Sequence, residues 1–202
     1  MTQIIFCDFD GVIRHWNNDV LFEMEQQLNL QKGTTFKVAF AAENLIPAIT
    51  GQISDEQWRA NITHQLEQLS NAQNATDLVQ AWGSSPATID HQMFHLLKKL
   101  FPKAPLALVT NATSKLNADL AAHNLGHQFD FVINSSKIGV AKPDVGFYRE
   151  AVQQTNATIQ TSVFIDDSLD NVKSAQAFGL NSFHFQGPNI LQKEVEQWLT
   201  KK

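Results

Sequence analysis

Residues 4–11 read IIFCDFDG: four apolar residues, then two acids flanking an aromatic, then a glycine. A short apolar run without polar alternation suits a strand buried on both faces, as in a parallel sheet. Four more such runs follow: LALV at 106–109, FVI at 131–133, VFI at 163–165 and FHF at 183–185. From the second run onward the intervening segments carry a helical period. Leu116, Leu120 and Leu125 fit one stripe, with Thr113 or Ser114 as its cap and Gly126 as its stop. Phe147, Tyr148, Ala151 and Val152 form another, entered through Pro143. Val172, Ala175, Ala177 and Phe178 form a third, closing at Gly179. Strands alternating with helices predict an α/β fold, a Rossmann-like doubly wound parallel sheet of five strands with right-handed crossovers.

The interval between the first two runs is too long for one crossover, which takes about 30 residues. Thr88 to Phe101, with Met93, Leu96, Leu97 and Leu100 on one side, supply the crossover helix. Residues 14–84 are surplus, helical in pattern and without strand signal: Leu21, Met24 and Leu28 fit one helix, and Trp58, Ile62, Leu66 and Leu69 another. The Gln/Asn-rich stretch 65–80 reads as a solvated helix pair, and Gly83-Ser84-Ser85-Pro86 has boundary composition. The expected organisation is a core of residues 1–13 and 85–202 with an α-helical insertion at 14–84.

Composition excludes several function classes. With 202 residues, 43% hydrophobic and 17% charged, the chain suits one folded core with an inserted piece. A net charge of −5 and the lack of any Lys/Arg run argue against nucleic acid and anionic membrane as partners. One cysteine, Cys7, excludes an internal disulfide framework and a cysteine-rich zinc module. No apolar run approaches the ~18 residues a membrane span needs, and the N-terminal stretch has no signal-peptide pattern. The expectation is a cytoplasmic monomer or homodimer acting on a small molecule.

Ligands of open α/β sheets bind beyond the carboxyl ends of the strands. There the sequence supplies Asp8, Asp10 and Gly11 after the first run, Thr110 and Asn111 after the second, and Asp166 and Asp167 after the fourth. Lys142-Pro143 precedes the helix that leads to that fourth run. Four carboxylates in one crevice oppose folding unless they are neutralised, and a hard divalent cation, most simply Mg²⁺, resolves the conflict. Such a cation beside a lysine makes a site for phosphate oxygens. Asp8 can attack phosphorus to form an acyl phosphate. Asp10, two residues on, can protonate the leaving oxygen and then deprotonate water.

The four segments IIFCDFDGVI, ALVTNAT, GVAKPDVGFY and FIDDSLDNV together resemble the motifs of the haloacid dehalogenase superfamily, in which Mg²⁺-dependent phosphatases dominate. The resemblance covers residues 3–13 and 86–186. Gly51, Ile53, Ser54, Glu56 and Trp58 are similar to the cap pattern of the helical-cap branch that holds sugar-1-phosphatases and the phosphatase domain of soluble epoxide hydrolases. The resemblance implies that Asp8 is the nucleophile and a metal ligand. It makes Asp10 the general acid/base, with a backbone carbonyl on the metal. Thr110 and Asn111 bind the phosphoryl group, and Lys142 neutralises it. Asp167 is implied as the direct metal ligand and Asp166 as the holder of a metal-bound water, the reverse assignment also standing. Asn171 then orients this pair. Arg14 and Trp16, directly after the catalytic turn, are expected to face the leaving group of a substrate that the class predicts to be a sugar phosphate or nucleotide. A phosphosugar mutase shares all four motifs, and a non-catalytic binding module on the same scaffold is the third reading.

Overall fold

The computed structural model describes residues 3–201. The chain opens with β1 (Ile5–Cys7) and β2 (Arg14–Trp16). Five helices follow: α1 (Asp19–Gln27), α2 (Thr34–Ala39), α3 (Ala42–Ile49), α4 (Asp55–Glu67) and α5 (Ala72–Gly83). After β3 (Ala87–Ile89) and α6 (His91–Leu100), strands and helices alternate through β4 (Leu106–Thr110), α7 (Leu116–Ala122) and β5 (Phe131–Asn134). The chain continues with α8 (Ser135–Ile138), α9 (Val145–Thr155), β6 (Val163–Asp166), α10 (Leu169–Phe178), β7 (Asn181–His184) and α11 (Pro188–Leu199).

Strands β5-β4-β1-β6-β7 form one parallel sheet in that order. Its faces follow the two-residue period of a strand. Ile5, Cys7, Leu108, Val163, Ile165 and Phe183 join one buried cluster, with Leu97 of α6 and Leu191 of α11. Ile4, Phe6, Ala107, Val109, Ile133 and Phe164 join the opposite one, with Phe147 and Tyr148 of α9. Both faces being covered is why the strands read as unbroken apolar runs. The order turns at β1, with β4 on one side and β6 on the other, so the crevice beyond β1 is the switch point at which such sheets bind ligands.

Helices α1–α5 share a separate apolar cluster that includes Leu21, Ala48, Trp58, Ile62, Leu66 and Leu78. Helix α4 starts on a capping box: the Ser54 hydroxyl accepts from the Gln57 amide, while the Gln57 side chain accepts from the Ser54 amide. Leu69 lies beyond that helix, exposed.

The structure corrects several local expectations. Residues 14–16 are a strand, paired antiparallel with residues 87–89 in the register Arg14↔Ile89 and Trp16↔Ala87. This ribbon takes Thr88 and Ile89 from the expected crossover helix, which begins at His91 because the Asp90 carboxylate accepts from the Gln92 and Met93 amides. Pro143 stands outside α9, whose cap is Asp144, accepting from the Gly146 amide. Neither Thr113 nor Ser114 caps α7, which starts after Lys115 and ends before Leu125, and Ala177 of α10 is exposed.

Candidate active site

Each carboxylate of the site sits where a buried strand ends. The amide of Asp8 donates to the Ile165 carbonyl at 2.9 Å, extending the β1–β6 ladder by one residue and fixing the side chain's direction. Asp166, the last residue of β6, is fully buried. Between the two lies Lys142, whose Nζ stands 2.8 Å from Asp8 Oδ1, 2.6 Å from Asp166 Oδ2 and 2.9 Å from the Val109 carbonyl. Asn111 holds the lysine's backbone with two bonds: its Oδ1 accepts from the Lys142 amide and its Nδ2 donates to the Lys142 carbonyl, each at 2.8 Å. The Asn171 amide donates to both oxygens of Asp166 at 3.0 and 3.1 Å, and the Ser168 amide donates to Oδ1 at 2.8 Å. Thr110 ends β4, buried beside Asn111.

Asp167 completes a triplet with Asp8 and Asp166, one oxygen of each lying within 4.8 Å of the others. The Asp8 carboxyl stands raised to about 7, chiefly by burial, with Lys142 pulling it down and Asp166 pushing it up. Burial alone would lower the Lys142 ammonium, but Asp8 and Asp166 overcome it and hold it raised. Asp167 is raised as well, by burial and then by Asp166. Three carboxylates against one ammonium leave the site with excess negative charge, and Asp166 adds to the upward push on Asp8. A divalent cation with oxygen ligands fits this donor set.

Gly11 lets the chain turn over that triplet. Its φ is +84°, and a Cβ there would overlap the Asp167 carboxylate. Gly11→Ala is therefore expected to destabilise the fold by about 1–2 kcal/mol for the left-handed backbone and to displace Asp167. Urea unfolding reads the first effect, and a divalent-cation titration reads the second as a weaker half-saturation.

Asp10 is turned away from the triplet. Both its oxygens take a fork from Arg14, Nε at 2.7 Å and Nη2 at 2.9 Å, and Oδ1 also accepts from Trp16 Nε1 at 2.7 Å. Arg14, only 5% exposed, spends its remaining arm on Asp119 at 3.0 Å. Burial lowers its pKa, but the two acids more than restore it. The two residues expected to read the leaving group thus orient the second acid, a bond set that the β2–β3 ribbon makes possible by bringing Trp16 back over Asp10.

A cavity of about 450 Å³ opens against Asp10 and Asn111 and runs between the sheet's edge and helices α2–α5. At its rim Asp55 joins the two layers: Oδ1 accepts from the Thr113 hydroxyl at 2.8 Å, Oδ2 from Arg59 Nε at 2.7 Å, and its amide donates to Ser114 Oγ at 3.0 Å. These bonds claim the two hydroxyls that the sequence offers as caps for α7. The sequence reading missed Asp55 and Asp119. Asp55 is written as an acid in the first turn of a helix and Asp119 as one within a helix, and only the tertiary fold brings Thr113 to the first and Arg14 to the second.

Known proteins share this fold. A structure of a HAD family enzyme from Bacteroides thetaiotaomicron, in complex with magnesium and inorganic phosphate, superimposes with a TM-score of 0.69 at 17% identity, covering 91% of this chain and 93% of that one. Haloacid dehalogenase-like hydrolase domain-containing protein 3 of Mus musculus is 33% identical over 98 residues, 48% of this chain and 39% of the relative. The sesquiterpene phosphatase astK of Aspergillus oryzae is 38% identical over 69 residues, 34% of this chain and 35% of the relative. The chain thus spans less than half the length of these two curated relatives. Over residues 2–179 the sequence matches the haloacid dehalogenase-like hydrolase family, and with that match the chain belongs to the haloacid dehalogenase-like hydrolases.

Proposed function

We propose that the protein is a Mg²⁺-dependent phosphomonoester hydrolase acting on a small phosphorylated metabolite in the cytoplasm. The observation that carries the reading is the Lys142 ammonium clamped between Asp8 and Asp166 with Asp167 alongside: a lysine to meet a phosphate oxygen, and carboxylates to hold a divalent cation, next to an acid at a strand end. A phosphatase among the relatives supports it. So does a structural neighbour that holds magnesium and phosphate.

In this mechanism a carboxylate oxygen of Asp8 attacks phosphorus, an O–P bond forms, and the ester P–O bond breaks. The departing alkoxide takes a proton from Asp10. Water then attacks the aspartyl phosphate, giving its proton to Asp10, and inorganic phosphate leaves with Asp8 restored. Lys142 neutralises phosphate oxygens, and Asn111 keeps that lysine's backbone in register through its two bonds. Asp8, Asp166 and Asp167 would hold Mg²⁺, which supplies charge neutralisation at the transferring oxygens. Arg14 and Trp16 hold Asp10 on the cavity side, where a leaving group stands. Helices α1–α5 act as the cap that excludes bulk water.

The reading is tested by phosphate release from a panel of esters with and without Mg²⁺, with Asp8→Asn as the blank; release that ignores both the metal and the mutation would overturn it. Mg²⁺ should also stabilise the fold in a pH-dependent way. The Asp8 pKa stands at about 7 in the fold, above its ordinary value. Its contribution to stability is therefore complete below about pH 4 and is lost as pH rises through 7 in metal-free protein. Thermal melts should show Mg²⁺ raising Tm more at pH 8 than at pH 5.

A further inference from the structure

The cavity beside Asp10 is built for a different surface from the one a sugar or nucleotide presents. Its walls on the helical side are Phe36, Phe40, Leu45, Ile49, Trp58 and Trp82. The rings pack against one another mostly edge to face, Trp58 on Trp82 at 5.2 Å between centroids and Phe40 on Trp82 at 6.0 Å. Phe40 is 51% exposed and Trp16, at the other end, 41%. Apolar surface held open at a site signals what the site receives.

The charged side chains of the lining are already paired. Arg14 pairs with Asp10 and Asp119, Arg59 with Asp55, and Lys115 stands 3.6 Å from Asp119. Three acids thus face three bases, with no charge left over for a second phosphate, a carboxylate or an ammonium group. The Thr113 hydroxyl donates to Asp55, the Asn111 amide to the Lys142 backbone and the Trp16 indole to Asp10. Sugar hydroxyls entering here would lose water for few partners. The Arg59 guanidinium also covers a face of Trp82 at 5.1 Å, taking the cation-accepting surface that a quaternary ammonium ligand would use.

We infer that the natural ester is a phosphate monoester of a lipophilic alcohol, its hydrocarbon chain or ring filling the aromatic cavity while the phosphate meets Asp8 and Lys142. The inference rests on the phosphomonoesterase reading for its chemistry, which is the same hydrolysis with a hydrocarbon alcohol as leaving group. At about 30 Å³ for a water-sized group, the volume holds roughly 15 such groups, a chain of about ten to fifteen carbons.

The test is a homologous series, ethyl through dodecyl phosphate, measured as kcat/KM with Mg²⁺ beside glucose 1-phosphate, AMP and phosphocholine. Each added methylene should raise kcat/KM about fourfold until the cavity fills, and the three hydrophilic esters should fall with ethyl phosphate. Phe40→Ser, at a half-exposed position, should flatten the rise while a thermal melt shows the fold retained. A flat series in the native protein, or any hydrophilic ester exceeding dodecyl phosphate, overturns the inference. Calorimetry with dodecylphosphonate and methylphosphonate separates this failure from failure of the phosphatase reading. If no ester is hydrolysed but the long phosphonate binds at least tenfold tighter, the hydrolase mechanism falls and the lipophilic site stands. If the two phosphonates bind alike, the lipophilic site falls whatever the kinetics.

Discussion

Replacing Lys142 with methionine is expected to lower the unfolding free energy at pH 7 by about 3–5 kcal/mol and to abolish turnover. Lys142 is 4% exposed and its ammonium touches two carboxylates and a carbonyl. Methionine fills nearly the same unbranched volume, so the deficit comes from charge rather than from a cavity. Its pH dependence distinguishes the two. Burial already pushes Asp8 up to about 7 against the pull of Lys142, and without the ammonium its pKa rises further. A carboxyl whose folded pKa is raised contributes fully below its unfolded value of about 3.9 and loses that contribution as pH climbs through the folded value. The deficit of Lys142→Met should therefore widen as pH rises above about 7, between the native Asp8 value and the higher value in the variant, and be larger at pH 9 than at pH 6. Urea midpoints at the two pH values measure it, and equal deficits would mean that packing, not charge, is what Lys142 supplies.

The sheet was legible because its strands are buried on both faces: Ile4, Ile5, Phe6 and Cys7 alternate between the two clusters and are therefore all apolar. The acids at the strand ends were legible for the same reason, since a charged residue closing an apolar run has only the crevice to enter. Ribbon β2–β3 was not, because three residues are too few to show a period and their partners lie across the whole helical layer. Nor was the partnership of Arg14 with Asp10 and Asp119. A guanidinium next to a catalytic turn reads as a substrate contact until the fold brings Asp119 within 3.0 Å of it. The apolar cavity was least legible of all. Phe36, Phe40, Trp58 and Trp82 come from three helices, and in sequence each reads as core; only their shared exposure to one space separates the wall from the interior.

Asp8→Asn should separate chemistry from structure in the opposite sense to Lys142→Met. The amide keeps the shape of the carboxylate, and its oxygen can still accept from Lys142 at the position where Asp8 Oδ1 now stands, 2.8 Å away. It removes one of the three negative charges that crowd the site, so the metal-free variant should be at least as stable as the native protein at pH 8. Yet an amide oxygen is a poor nucleophile towards phosphorus, and kcat should fall at least about 10⁴-fold for every ester, lipophilic or not. Half-saturation by Mg²⁺ should weaken at the same time, because one of its three carboxylates has gone. The decisive pair of measurements is a urea midpoint that holds or rises together with a rate that collapses. A collapsed rate with a collapsed midpoint would make Asp8 a structural acid, and an intact rate would move the covalent step to another residue. Asp10→Asn gives the graded counterpart. A lost proton donor costs about 10²–10⁴-fold, most for esters whose alcohols leave with difficulty and least for p-nitrophenyl phosphate, whose leaving group needs no proton. A loss at Asp10 that follows leaving-group basicity, beside a loss at Asp8 that ignores it, assigns attack to one acid and proton transfer to the other. The fork from Arg14 that holds Asp10 at the cavity's edge then belongs to the proton-transfer step.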